Sequence, residues 1–319
     1  MTSLAAISKR ERILGGLWGS LVGDALGVPV EFKDRKEVQA DPVKDMRGFG
    51  SHKQPPGTWS DDGSLTLCTV DSLLNRDFDL EEMGRRFVEW LNHGLWTAWG
   101  EPFDVGVATS DALLRIANGT PAAQAGSQDE YSNGNGSLMR ILPVVMRFAG
   151  EPLELFSNYV SKASAITHGH ARSQMACVFY GLVIRQLMFG WKPQPALDSV
   201  RVEFSDWYGR TVELTHFRHV LEDDFISIPE SEIDSSGYVL QTLSASLWCL
   251  LTTSTFTECV LKAVNLGGDT DTTGCIAGGL AGVHYGISAI PDKWIHSLAR
   301  HDEVESLFNR FAATTLSPN

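Results

Sequence analysis

The sequence predicts an all-α fold in a single domain spanning residues 1–319. Three observations carry that expectation. Apolar residues recur at helical spacing along nearly the whole chain, and no segment alternates as a half-buried strand would. No repeat, low-complexity tract or linker divides the chain. Two segments, 8–27 and 274–282, are rich in small residues, which lets two helices approach backbone to backbone.

The composition fits a soluble protein that buries a large core without staples. The formal net charge of −13 argues against a nucleic acid or an anionic membrane as the main partner. Cys68, Cys177, Cys249, Cys259 and Cys275 are scattered and form no CxxC pair, so reduced thiols in a cytoplasmic protein are expected. Lys9, Arg10 and Arg12 precede the apolar run Ile13 to Val22, superficially like a signal peptide. Asp24 interrupts that run and no clean cleavage site follows. No run is expected to reach transmembrane length, so this reads as a buried helix.

In chain order, Ser8 and Glu11 form a capping box that opens a helix over 8–27. Its glycines each cost about 0.5–1 kcal/mol relative to alanine, so a close helix contact should compensate. The small-residue helix from Gly274 to Gly282 is the natural partner. Pro29 stops the first helix. Asp24 reads as a cap or a surface charge, and Glu31 as a carboxylate that could face Asp269 and Asp271. Residues 33–58 read as a loop.

A helix should begin near Asp61, with Leu65, Val70, Leu73 and Leu74 inward. Ser60, Asp61 and Asp62 then serve as a cap or as cation ligands, and read alone the cap is the simpler account. An amphipathic helix over 79–91 follows, then a loop with Trp96 and Trp99, the segment Phe103-Asp104-Val105-Gly106, and a helix over 107–117. The stretch Ser132-Asn133-Gly134-Asn135-Gly136-Ser137 feeds a helix with apolar Ile141, Leu142, Val144 and Val145. It is a plain turn or an anion site made of backbone N–H groups, and it lacks the Gly-Lys-Ser/Thr of a Walker loop. Thr167-His168-Gly169-His170 opens a helix over 171–189, with His168 structural or a sugar contact. His216 and His219 share a face, but no carboxylate or cysteine completes a zinc set. Residues 223–237 form an acidic loop and 238–263 a helix.

Asn265 to Gly274 is the stretch that organises the rest. Asp269 and Asp271 alternate with threonines after two glycines. A capped helix start explains this segment by itself, and so do hard oxygen ligands for a divalent cation. An EF-hand loop is excluded because its twelfth position is Leu280, not Glu. A phosphatase Asp-x-Asp-x-Thr motif matches Asp269, Asp271 and Thr273, but it should end a buried strand. Here glycines precede it and only 46 residues follow Thr273.

The motifs together resemble the ADP-ribosylglycohydrolase family. The matching segments are Gly23-Asp24-Ala25-Leu26-Gly27 with Glu31, Ser60-Asp61-Asp62, Phe103-Asp104-Val105-Gly106, Asn135-Gly136-Ser137-Leu138-Met139-Arg140, Thr167-His168, Gly267-Gly268-Asp269-Thr270-Asp271-Thr272 and Ile290-Pro291-x-x-Trp294. They run in order through nearly the whole chain. The resemblance implies a compact orthogonal helical bundle with a central two-metal cleft holding Mg²⁺ or Mn²⁺. Its ligands carry over to Ser60, Asp61, Asp62, Asp269, Asp271 and Thr272, with Ser60 standing where the family often has Thr. Asn135 to Ser137, with Ser132, Asn133 and Gly134 before them, carry over as the diphosphate loop, and His168 as a ribose contact.

The implied activity is metal-dependent hydrolysis of the bond linking ADP-ribose to a protein side chain, arginine first, with Glu31 or Asp61 as the base. The alternatives are a serine-linked or small ADP-ribose substrate, and a binding or immunity protein that recognises ADP-ribosylated targets or an ADP-ribosylating toxin.

Overall fold

Ser8 accepts the Glu11 N–H and Glu11 reciprocates, so α1 (Lys9–Gly27) starts at the expected box. The computed structural model describes residues 7–317, and these are all-α: fifteen α-helices and short 3₁₀ turns, with two isolated bridges and no sheet. After α1 come α2 (Arg35–Ala40), α3 (Asp61–Arg76), α4 (Leu80–His93), α5 (Val107–Ala117), α6 (Leu142–Phe148), α7 (Leu153–Ala165) and α8 (Ala171–Met188). Then follow α9 (Pro193–Tyr208), α10 (Arg218–Leu221), α11 (Val239–Leu251), α12 (Phe256–Val264), α13 (Thr270–Tyr285), α14 (Asp292–Ser297) and α15 (His301–Leu316).

The centre is the pair α1 and α13, as the small residues predict. The two helices run antiparallel, and Gly15, Gly19 and Gly23 lie against Gly282, Gly278 and Gly274. A Cβ at any of the first three would sit within 2.2 Å of a carbonyl oxygen of its partner. The pair therefore touches backbone to backbone. At its end Gly27 abuts the backbone of Asp271, which brings the Asp-x-Asp turn beside the exit of α1. Helices α11 and α12 flank α13, and α3 packs on α4 and α15.

Four expectations are corrected. The stretch Lys9–Val30 is long and apolar enough to cross a membrane, but its apolar window is wholly buried among the other helices. The loop over 33–58 contains α2, because Asp34 and Glu37 form a second capping box. The helix over 238–263 is two helices. Thr252 and Thr253 bond back to the carbonyls of Trp248 and Cys249, and Thr255 caps α12 through the Glu258 N–H. The Asn135 loop runs into a tight turn over 136–140 before α6 begins at Leu142, so no helix N-terminus stands at the loop.

Candidate active site

Seven segments remote in sequence meet at a cleft of about 270 Å³. Its walls include Glu31, Phe32, Asp61, Asp62, Asp104, Gly134, Asn135, Gly136, His168, Asp269 and Thr272. A larger hollow of about 320 Å³ lies between Phe217, Phe225, Ile233 and Tyr238. Among the described residues it carries no unpartnered buried carboxylate, so the chemistry belongs to the smaller cleft.

Helix starts position most of the acids. Ser60 caps α3 by accepting the Asp62 N–H at 3.3 Å, which puts Asp61 and Asp62 in the first turn. Asp24 is no surface charge. It is fully buried, and its carboxylate accepts the N–H groups of Ser60 and Gly63, so α1 caps α3 from across the interface. Asp269 caps α13 through the Thr272 N–H. Thr270 anchors the same turn by donating to the Gly27 carbonyl at 2.9 Å. Glu31 follows the 3₁₀ turn Val28–Val30. Its carboxylate oxygen lies within 4.8 Å of oxygens of both Asp269 and Asp271.

Asp24, Ser60 and Asp269 therefore cap helix starts, while Glu31, Asp61, Asp62, Asp269 and Asp271 are brought together around the cleft. The Ser60 side chain serves the cap and does not line the cleft, and Asp271 lies behind the lining, against Glu31 and Asp269.

The charges are poorly matched from within the protein. Asp62 accepts from the Thr272 hydroxyl and Asp271 from the Thr272 N–H, while Oδ2 of each is buried without a partner. Burial first, and neighbouring carboxylates second, push Asp61, Asp62 and Asp271 well above the usual carboxylate range. Glu31 is pushed up to about 7, mainly by burial. Among the described residues no arginine or lysine pairs with this buried acid set, which calls for another positive charge. Clustered hard oxygens with free lone pairs fit a divalent cation.

On the other wall, Asn135 donates to Asp269 at 2.8 Å and to Thr242, tying the loop to the acids. Gly134, Asn135 and Gly136 face the cleft, but their expected neighbours do not. Asn133 is held by Ser173 and Glu130 outside it, and Ser132 bonds to Asp129. The Ser137 hydroxyl is buried against Ser164 and Cys177.

His168 lies beside Gly134 and Gly136. Buried Arg140, stacked on Phe87, donates to the Thr167 hydroxyl at 2.7 Å, and that hydroxyl sits 2.8 Å from His168 Nδ1. An arginine can only donate, so the threonine proton goes to Nδ1, and His168 carries its own proton on Nε2, towards the loop. Burial and Arg140 lower its pKa to about 3. We expect NMR to show the neutral Nε2–H tautomer from pH 8 down to pH 5. The unfolded chain binds this proton and the folded chain does not, so this residue's contribution to stability falls as pH drops from about 6.5 towards 3.

Two residues at or beside the cleft escape a sequence reading. His52, in the Gly/Pro loop, bonds Glu31 through Nε2. Asp104 lies with that pair, the ligand atoms of all three within 4.8 Å of one another. The only sequence signal for Asp104 was its place in the Phe-Asp-Val-Gly segment, and His52 had none. His216 turns out to bond Arg172 at 2.9 Å, away from any metal-like cluster among the described residues. The five cysteines are free and buried.

A sequence model of the ADP-ribosylglycohydrolase family matches residues 5–318. The chain is 30% identical over 305 residues to the ADP-ribosylarginine hydrolase Tri1 of Serratia proteamaculans (strain 568), covering 93% of this chain and 78% of that one. It is 32% identical to the ADP-ribosyl-[dinitrogen reductase] glycohydrolase of Rhodospirillum rubrum, covering 91% of each. A solved structure described as an ADP-ribosylglycohydrolase-related protein complex superposes with a TM-score of 0.81 at 34% identity, over 97% of this chain and 99% of that one.

Proposed function

The chain belongs to the ADP-ribosylglycohydrolase family, and from that premise we propose that it is a hydrolase that cleaves ADP-ribose from arginine side chains of modified proteins in the acidic cleft. One observation supports the site above others: two buried carboxylate oxygens, on Asp62 and Asp271, lack partners beside a cleft that the Asn135 loop and His168 also line. Two divalent cations, Mg²⁺ or Mn²⁺, would be held by Asp61, Asp62, Asp269, Asp271 and Thr272, with Ser60 supporting the turn. When bound they supply positive charge that orients ribose hydroxyls and acidifies a water.

The chain's own groups do the rest. Gly134 to Gly136 take the diphosphate, and the Nε2–H of His168 donates to the ribose beside it. Glu31, its carboxylate fixed by His52, removes a proton from the attacking water, with Asp61 the other candidate for that task. The hydroxide adds to C1 of the ribose through an oxocarbenium-like transition state, and the bond to the guanidine nitrogen breaks. Glu31 returns its proton to the departing nitrogen, so the products are ADP-ribose and a free arginine side chain.

Release of ADP-ribose from arginine-, serine- and glutamate-modified proteins tests this directly. Release from the arginine class should need Mg²⁺ or Mn²⁺, fall to background in EDTA and return when the cation is restored. Glu31→Gln should lower turnover by about 10²–10⁴-fold without loss of fold. Chelator-insensitive hydrolysis would sink the metal centre. No release from any class, with ADP-ribose still bound, would make the protein a binder.

A further inference from the structure

Phe32 sits next to Glu31 on the cleft wall, and two features of it are at odds with a mere structural role. The residue is 70% exposed. Its backbone has φ of 64°, a left-handed conformation that is strained for a bulky residue. Two backbone bonds to Gly268 hold it there: Phe32 N–H to the Gly268 carbonyl, and Gly268 N–H to the Lys33 carbonyl, each at 2.8 Å. The ring leans on His52 with centroids 5.6 Å apart, and His52 leans on Phe103 at 5.1 Å. Asp104, next to Phe103, is also left-handed, with φ of 56°, and lies within reach of His52 and Glu31. A bulky residue held left-handed at the opening, presenting a bare aromatic face beside a carboxylate, marks a surface shaped for a ligand.

We propose that the wall Phe32–His52–Phe103 is the acceptor subsite, where the planar guanidinium of the modified arginine lies on the exposed face of Phe32 with its N–H edge towards Asp104. The proposal rests on the hydrolase reading above. The chemistry matches on both counts: an aromatic face attracts a cation laid over it, and a guanidinium presents its donors in the ring plane, where a carboxylate can accept them. A serine acceptor offers neither a face nor a charge. The nucleotide half of the substrate has its own place, because the Asn135 loop reaches the acids through Asp269, whereas the aromatic wall reaches them through Glu31. That leaves Phe32 for the group beyond the scissile bond.

The test is steady-state kinetics of metal-loaded protein on an arginine-linked ADP-ribosyl substrate, together with the inhibition constant of free ADP-ribose. Phe32→Leu keeps apolar area without the aromatic face, and Phe32→Trp keeps the face. We expect Phe32→Leu and Phe32→Ala to lower kcat/KM by roughly three- to thirtyfold, Phe32→Trp to retain it, and the inhibition constant to stay constant throughout. Equal kcat/KM for Phe32→Leu and wild type would overturn the acceptor subsite alone. A parallel rise in the inhibition constant would overturn it too, by giving the ring to the adenine. Wild-type protein that releases nothing from the arginine-linked substrate would instead bring down the hydrolase reading, and the subsite with it.

Discussion

Asp271→Asn should lower turnover on the order of 10³-fold and yet melt at or above the wild type in EDTA. The two effects have one cause. Asp271 is fully buried, one oxygen has no partner, and its neighbours Glu31, Asp62 and Asp269 are also acids. Two such charges about 5 Å apart would repel by roughly 3 kcal/mol at an effective dielectric near 20, so the cation-free protein must either hold protons on these acids or bear that repulsion. Asparagine keeps the shape and removes the charge. With saturating Mn²⁺ the order should reverse, because only the wild type gains the binding free energy of the ion. Thermal melts of both proteins, in EDTA and in Mn²⁺, decide the matter. A variant that melts well below the wild type in EDTA would mean that the Asp271 carboxyl stabilises the empty fold, and the conflict inferred from its orphan oxygen would be wrong.

The second large effect concerns the fold. Gly23→Ala should cost about 3 kcal/mol or more, enough to leave little folded protein, since the new methyl carbon would lie 2.0 Å from the Gly274 carbonyl oxygen. Neither partner can give way, because the obstacle is helix backbone rather than a flexible side chain. Gly150→Ala is the control: it is exposed, nothing lies within 4 Å, and its change should stay within about 0.5 kcal/mol. Urea midpoints of the two variants give the comparison. Equal midpoints would show that α1 and α13 can part without penalty.

The legible parts of this molecule were those written locally. Capping pairs such as Ser8–Glu11, glycines at four-residue spacing, and acids at helix starts all carry their meaning within a few residues. The meeting of Glu31 with Asp269 and Asp271 was legible only as a suggestion, because it depends on where α1 ends against α13. His52 was invisible. It reaches Glu31 because Ser51 donates to the Glu31 carbonyl and its N–H to the Pro29 carbonyl, and nothing periodic announces such a loop. Ser137 misled for the opposite reason. It stands in a loop that does face the cleft, but the turn over 136–140 rotates its hydroxyl into the core towards Ser164. Direction within a turn is fixed by backbone dihedrals that composition does not reveal.

The acidic segment over 223–237 is not uniformly a loop in the physical sense. Its far end is stitched to the Asp-x-Asp turn: Arg35 donates to the carbonyls of Glu230, Ile233 and Leu266, Ser235 to that of Gly267, and Asp269 N–H to that of Ser235. Its near end, at Asp223, stands fully in solvent. Lineages that diversify this segment are therefore freer to lengthen it around Asp223 and Asp224, where added residues would disturb only the Arg201 contacts and a short turn, not the aspartates of the cleft. Around Ile233 to Ser235, a single inserted residue would break the stitching and displace the aspartates themselves. Variation in length and constancy in length should thus sit a dozen residues apart in one stretch of chain, divided where Arg35 takes hold.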